Sequence, residues 1–265
     1  MKTLEVNGIE LATLDRGSGP PVVLVHGFPL DHTMWDAQVE ALSEQYRVIA
    51  PDLRGFGRSG VTEGKVTMEQ FADDLAGLLD GLEVAGPVVF CGLSMGGYVA
   101  WEFWRKYTGR VRGLVLCDTR AAADAPQAAA ARLETAERVL REGPATLVDA
   151  MIPKLFTETT RKRNPRVVES LRRVMLSANA KAVAAAARGM AQRHDVTSTL
   201  PEIACPTLVL VGELDAISTP EEMRSIADAI PGSRFVQIAG AGHMSPLESA
   251  DEVSAALLEF LALVS

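Results

Sequence analysis

Six short apolar runs set the limits on this chain: "PVVLV", "RVIA", "PVVFC", "GLVLC", "TLVLV" and "RFVQIA". They do not alternate apolar with polar residues as a half-solvated strand would. Short continuous runs of this kind suit strands covered on both faces, as in a parallel sheet with helices above and below. Helix start signals fall between them. Thr67-Met68-Glu69-Gln70 reads as a capping box ahead of "FADDLAGLLDGL", and Thr219-Pro220-Glu221-Glu222 as another with proline at the first helical position. Near the C-terminus, Val253, Ala256, Leu257, Phe260 and Leu261 recur at helical spacing and predict an amphipathic helix. At the other end, two alternating stretches flank Asn7-Gly8, a type I′ hairpin signal. Strand alternating with helix predicts an α/β fold with a doubly wound, mostly parallel sheet.

One stretch breaks that rhythm. Residues 120–196 hold no strand-like run, but are rich in alanine, arginine and glutamate. These helix formers are punctuated by Gly143-Pro144, Pro153 and Asn164-Pro165, so several helices are expected. A helical block inserted between two strands reads as a cap (120–196) on a core made of residues 1–119 and 197–265. The net charge of −8 and pI near 5.1 argue against nucleic acid or an anionic membrane surface as partner. No apolar run approaches the roughly 18 residues that a membrane span needs, and the N-terminus lacks the apolar core of a signal peptide. Three cysteines, an odd number, imply free thiols and a reducing cytoplasm, with Cys91, Cys117 and Cys205 serving packing. With no CxxC or HExxH pair, no metal or cofactor is called for.

The chemistry is concentrated at a few strand ends. In "VVFCGLSMGGYVAW" an apolar run leads through Gly92-Leu93-Ser94-Met95-Gly96 into an apolar helix. A G-x-S-x-G between strand and helix presents its serine on a strained turn, with glycines where side chains would clash. A serine nucleophile needs a base. Of four histidines, His243 lies in the glycine-rich loop "IAGAGHMSPLE" after the last predicted strand, where a side chain can reach the carboxyl ends of the sheet. The imidazole needs an acid to hold its tautomer. Asp215, in "TLVLVGELDAISTP", is the better candidate; Glu213 reads as a loop contact, and Asp118 after "GLVLC" is the alternative acid. The order Ser94, Asp215, His243 fits this arrangement. In "VVLVHGFPLDHTMW", Gly27 permits a sharp bend, so the backbone N–H of Phe28 can join that of Met95 as an oxyanion hole. His26 reads as a structural member of that loop, His32 and His194 as structural or exposed.

Taken together, these pieces resemble the α/β-hydrolase superfamily with a helical cap. The matching segments are "HGFP", "DLRGFGRS" after the fourth strand, "GLSMGG", "GELD" and "GAGHMSPLE". "HGFPLDHTMW" and "LCDTRAAAD" resemble most the branch of 3-oxoadipate enol-lactonases, small carboxylesterases and cofactor-free haloperoxidases, better described as perhydrolases. "DLRGFGRS" reads as a loop shaped by Arg54, Gly55 and Gly57 rather than as chemistry. The resemblance implies a carboxylic ester hydrolase acting on a small-molecule ester or lactone through an acyl-enzyme, with peroxide as an alternative second nucleophile and Pro29 and Leu30 shaping that choice. An enol-lactonase or a C–C bond hydrolase of an aromatic degradation pathway, and a non-catalytic receptor on the same fold, are the alternatives. Leu30, Met151, Ile152, Leu155, Phe156 and Met190 are expected to line an apolar pocket. Arg161, Lys162, Arg163, Arg172 and Arg173 read as a solvated helix face, with capture of a substrate carboxylate as the alternative. The sequence leaves a homo-oligomer open.

Overall fold

The computed structural model describes residues 1–264. Eight strands form one sheet: β1 (Lys2–Val6), β2 (Ile9–Arg16), β3 (Pro21–Val25), β4 (Arg47–Pro51), β5 (Val88–Leu93), β6 (Val111–Cys117), β7 (Thr207–Gly212) and β8 (Arg234–Ile238). Their spatial order is β1-β2-β4-β3-β5-β6-β7-β8. The β1–β2 hairpin pairs antiparallel to itself and to β4, and the other strands run parallel. Asn7 and Gly8 both have positive φ, 49° and 77°, as a type I′ turn requires.

Eleven α-helices accompany the sheet among the described residues. α1 (Asp36–Leu42), α2 (Met68–Gly81) and α3 (Met95–Lys106) connect the first strands. α4 (Pro126–Glu142), α5 (Ala145–Leu155), α6 (Glu158–Arg163), α7 (Pro165–Ser177) and α8 (Ala180–Met190) all lie between β6 and β7. α9 (Pro220–Ala229), α10 (Ser245–Glu248) and α11 (Ala250–Val264) complete the chain.

The continuous apolar runs now have their cause. Val23, Val25, Phe90, Leu114, Leu116, Val209 and Val211 pack with Phe71, Val99 and Met223 of α2, α3 and α9. Their strand neighbours Val22, Leu24, Val89, Cys91, Val115, Cys117, Leu208 and Leu210 pack on the opposite face with Val39 of α1 and Leu257 of α11. Each strand therefore buries both sets of side chains. Val253, Leu257, Phe260 and Leu261 form the buried stripe of α11, while Ala256 stays partly exposed at its edge.

Local expectations fail at two points. Thr67 caps α2 by accepting from the Gln70 N–H, but the reciprocal bond that would complete a capping box is not formed; the full box forms only at Thr219 and Glu222 on α9. Pro153 does not break a helix but lies inside α5. It sits in the last turn, two residues before the end, where only one backbone bond is lost.

Candidate active site

The chain reverses its direction of progress across the sheet at β3: β4 lies on one side and β5 on the other. Such a switch point opens a crevice at the carboxyl ends of the strands. The loops after β3 and β5, holding Phe28 and Ser94, flank it.

Ser94 has φ 54° and ψ −112°, a conformation that costs a non-glycine residue on the order of 1–3 kcal/mol. Glycines make it feasible. A Cβ on Gly92 would lie 2.2 Å from the Gly96 oxygen, one on Gly96 2.3 Å from the Val25 oxygen, and one on Gly97 2.3 Å from Thr119 Oγ1. The first turn of α3 thus folds tightly onto the ends of β5, β3 and β6. The Ser94 side chain does not cap the helix it begins, so the hydroxyl is not consumed locally. Ser94 and Phe28 remain partly exposed, whereas Met95, Asp215 and His243 are buried.

The imidazole and its acid sit at the ends of β8 and β7. His243 Nδ1–H donates to Asp215 Oδ2 at 2.8 Å, and Asp215 Oδ1 accepts from the N–H groups of Ile217 (2.7 Å) and Ser218 (3.1 Å). The Asp215 side chain is fully buried. This leaves His243 Nε2 as the ring nitrogen free to take a proton. Glu213 instead accepts from the Gly240 N–H at 2.8 Å and shapes the histidine loop.

Gly27 presses against the elbow: a Cβ there would lie 2.9 Å from Leu93 Cδ2 and 3.5 Å from Ser94 Cβ. Phe28 follows directly on this close approach. Met95 is the first residue of α3, so its N–H belongs to the set that no helical carbonyl can satisfy. Met95, and the Gly27 that precedes Phe28, therefore border Ser94. His26 fixes this loop from below. Its Nε2 accepts from the Leu53 N–H at 2.9 Å and its Nδ1–H donates to the Gly27 oxygen at 2.8 Å. Burial pushes its pKa below the ordinary histidine value, in keeping with a neutral ring.

The "DLRGFGRS" loop braces the same region. Arg54 forms a buried pair with Asp74 through Nε (2.6 Å) and Nη2 (2.7 Å). Gly57, at φ 54°, leaves no room for a Cβ, which would fall 2.2 Å from Asp52 Cγ. Asp52 in turn binds His32 Nδ1 at 2.6 Å, and His194 binds Glu102 at 3.0 Å on the surface. Neither histidine joins the His243 cluster.

Two acidic residues enter the site unforeseen in their roles. Glu248 Oε1 accepts from the Gly242 N–H at 2.8 Å, beside His243, while Oε2 accepts from Thr157 Oγ1 at 2.8 Å and the Thr157 N–H at 3.0 Å. The Met244 N–H donates to the Leu155 oxygen at 3.0 Å. The histidine loop is thus tied on both sides of His243 to the helical block. Asp118, considered only as an alternative acid, is fully buried beside Asp215 and His243. The "GHMSPLE" segment contained the Glu248 signal, but its partner lies 91 positions away.

The expected pocket residues divide. Leu30, Ile152, Leu155 and Phe156 share one apolar cluster with Met175 and Met244; Met151 packs against it and against the opposite cluster. Met190 belongs to that opposite cluster, with its sulfur 3.4 Å from Arg132 Nη1. Pro29 and Leu30 line a cavity of about 240 Å³ shared with Gly55, Val174 and Asn179. Phe28 packs on Ala136, Ala184 and Ala187 of α4 and α8. Arg161, Lys162, Arg163 and Arg173 are exposed, Lys162 pairs with Glu158 and Arg172 with Asp149.

Comparison with known proteins identifies the family. Residues 20–250 match a family described as alpha/beta hydrolase fold. A thermophilic esterase from Thermogutta terrifontis, solved with malate bound, is 53% identical with a TM-score of 0.98; the match covers 100% of this chain and 99% of that one. The enol-lactonase from Burkholderia xenovorans LB400 is 33% identical over 98% of this chain and 100% of its own, with a TM-score of 0.92. A bromoperoxidase from Bacillus anthracis is 29% identical over 96% of each chain, with a TM-score of 0.85.

Proposed function

This chain belongs to the alpha/beta hydrolase fold family, and from that premise we propose that it is a serine hydrolase of small to medium carboxylic esters and lactones. The observation that carries the reading is the buried Asp215–His243 hydrogen bond at the sheet edge that also holds Ser94 at φ 54°. Ser94 Oγ attacks the carbonyl carbon while His243 Nε2 takes its proton. Asp215 holds the tautomer and stabilises the imidazolium. The N–H groups of Phe28 and Met95 receive the charge that develops on the carbonyl oxygen. His243 then gives its proton to the leaving alkoxide, and a water activated by the same nitrogen releases the acid and regenerates Ser94.

The helical block α4–α8 acts as the cap over this centre, and its contacts with Phe28 and the histidine loop support that role. Leu30, Met151, Ile152, Leu155 and Phe156 supply its apolar wall. An apolar wall suits a neutral acyl group. Likeness to an enol-lactonase and to a bromoperoxidase supports lactone substrates and a perhydrolase side activity, in which peroxide replaces water in the second step. Three unpaired cysteines, two of them buried on adjacent strands, support a cytoplasmic home; among the described residues no helix is long and apolar enough to cross a membrane.

A chromogenic short-chain ester tests the reading. Ser94→Ala is expected to lower kcat at least 1,000-fold, in keeping with the loss of a triad member, while leaving the melting temperature near that of the parent. Unchanged turnover in that variant would remove the nucleophile and with it the proposal. Peracid formed in competition with acid when peroxide is added checks the side activity.

A further inference from the structure

The triad uses one carboxylate, yet the site buries two. Asp118 follows β6 with φ 45°, and its side chain is fully buried. Its Oδ1 accepts from the Gly212 N–H at 2.8 Å, and its Oδ2 lies 2.6 Å from Ser245 Oγ. Its backbone oxygen accepts from Ser218 Oγ at 3.1 Å, and the Ser218 N–H donates to Asp215. Asp118, Asp215 and His243 each place a polar atom within 4.8 Å of the others. Among the described residues, neither carboxylate is paired with a lysine or arginine.

Two like charges this close, away from water, do not both persist without a cation. The His243 ring, as a general base, must itself start unprotonated. One of the two carboxyl groups therefore holds a proton at rest. Asp215 accepts three hydrogen bonds, from His243, Ile217 and Ser218, and so has no oxygen left facing an acceptor. Asp118 accepts one from backbone, and its second partner is a hydroxyl able to serve as donor or acceptor. The proton belongs on Asp118.

We propose that Asp118 is a positioning residue that rests as a neutral carboxylic acid donating to Ser245, and that it takes up the negative charge facing His243 when Asp215 is removed. The inference rests on the reading of Ser94, Asp215 and His243 given above. The groups that face Asp118 are Asp215 from the loop after β7, His243 and Ser245 from the loop after β8, and the Cys117 thiol on its own strand. Burial first, and then the charge of Asp215, raise its pKa well above the ordinary value of 3.8. An acid whose pKa is higher in the folded state binds its proton more tightly there, so stability falls as pH rises above about 3.9 towards the folded value.

Asparagine mimics the neutral acid, since its oxygen can accept from Gly212 while its amide donates to Ser245. Asp118→Asn should therefore keep kcat/KM within about threefold of the parent and flatten the fall of melting temperature with rising pH. In an Asp215→Ala background, adding Asp118→Asn should lower kcat/KM at least tenfold further. The infrared carbonyl stretch of a protonated carboxylic acid should be present in the intact enzyme at pH 7, be lost in Asp118→Asn, and shift in Ser245→Ala. A 100-fold loss in folded Asp118→Asn, or a double variant no worse than Asp215→Ala, would overturn the proposal. If Asp118→Asn does not fold, the Ser245→Ala spectrum decides: no acid band in the parent, or one that this change leaves in place, overturns it. The infrared and thermal readings need no turnover, so they stand apart from any failure of Ser94→Ala to abolish activity.

Discussion

The turn around Ser94 and the helical block above it are held by opposite means. At the turn the chain is packed without slack: Gly92 and Gly96 face backbone and Gly97 faces the Thr119 side chain, and each leaves a gap that a single methyl would overfill. The block meets the histidine loop through apolar packing of Ile152, Leu155 and Phe156 with Met244 and through polar tethers, Thr157 to Glu248 and Met244 to Leu155. Much of its outer surface is charged side chains paired in water, such as Lys162 with Glu158. Close packing gives the reacting groups one geometry. The polar tethers fasten the block to the loop on both sides of His243. The two regions thus differ in what a substitution there would disturb.

Variants can break this contrast, beginning with the most damaging. Gly96→Ala would drive a methyl to 2.3 Å from the Val25 oxygen, where only backbone movement can relieve it. An overpacking cost of at least about 1–3 kcal/mol is expected. Displacement of the Met95 N–H should also lower kcat/KM on the order of 100-fold. Wild-type rates in that variant, with the fold intact, would show that the turn has slack. Glu248→Gln comes next. Its amide can keep Thr157 or Gly242 as donor, but cannot accept from both sides. A stability loss of about 1–2 kcal/mol and a kcat reduced roughly tenfold are expected. Thr157→Val removes only the hydroxyl and should cost about 1 kcal/mol, with a smaller fall in kcat. Melting curves paired with kcat and KM on small and bulky acyl esters separate a loosened histidine loop from a reshaped pocket. If both variants change KM alone, the tethers serve substrate binding and not the base.

The smallest effect is expected on the outer face. Lys162→Ala removes an exposed ion pair worth about 0.3–0.5 kcal/mol and should leave neutral-ester turnover within about twofold. A selective loss with anionic substrates would instead assign the basic face of α6 and α7 a role in capturing a carboxylate.

Much of this molecule could be read in the chain because its decisive signals are local. The runs around Val22, Phe90, Val115 and Val209 carry no alternation because both sheet faces are covered. Of the glycines around Ser94, Gly92 reports a local turn, meeting Gly96 and Gly97, whereas Gly96 and Gly97 make room for Val25 of β3 and Thr119 after β6, so the motif was legible before its full sterics were. The Thr219–Glu222 box acts across three residues, and it formed as expected. Gln70 is the instructive exception. A pattern licenses a reciprocal bond, but the side chain's final partner is decided by its surroundings. Pro153 shows the same limit, since a proline two residues from the C-terminal end disturbs only the final turns of a helix held by its packing.

By itself, then, the sequence determined the doubly wound sheet, the strained serine, and the order in which acid and histidine follow it. Those features depend on backbone sterics and on the burial of short segments, both encoded within a few residues. Tertiary structure alone decided which acid meets the imidazole, 28 positions away, and that Asp118 reaches Ser245 across 127 positions. It alone brought Thr157 to Glu248 and sent Met190 to a different cluster from the other expected wall residues. Contacts at such separations follow from how whole elements pack on one another, and no local pattern contains that information.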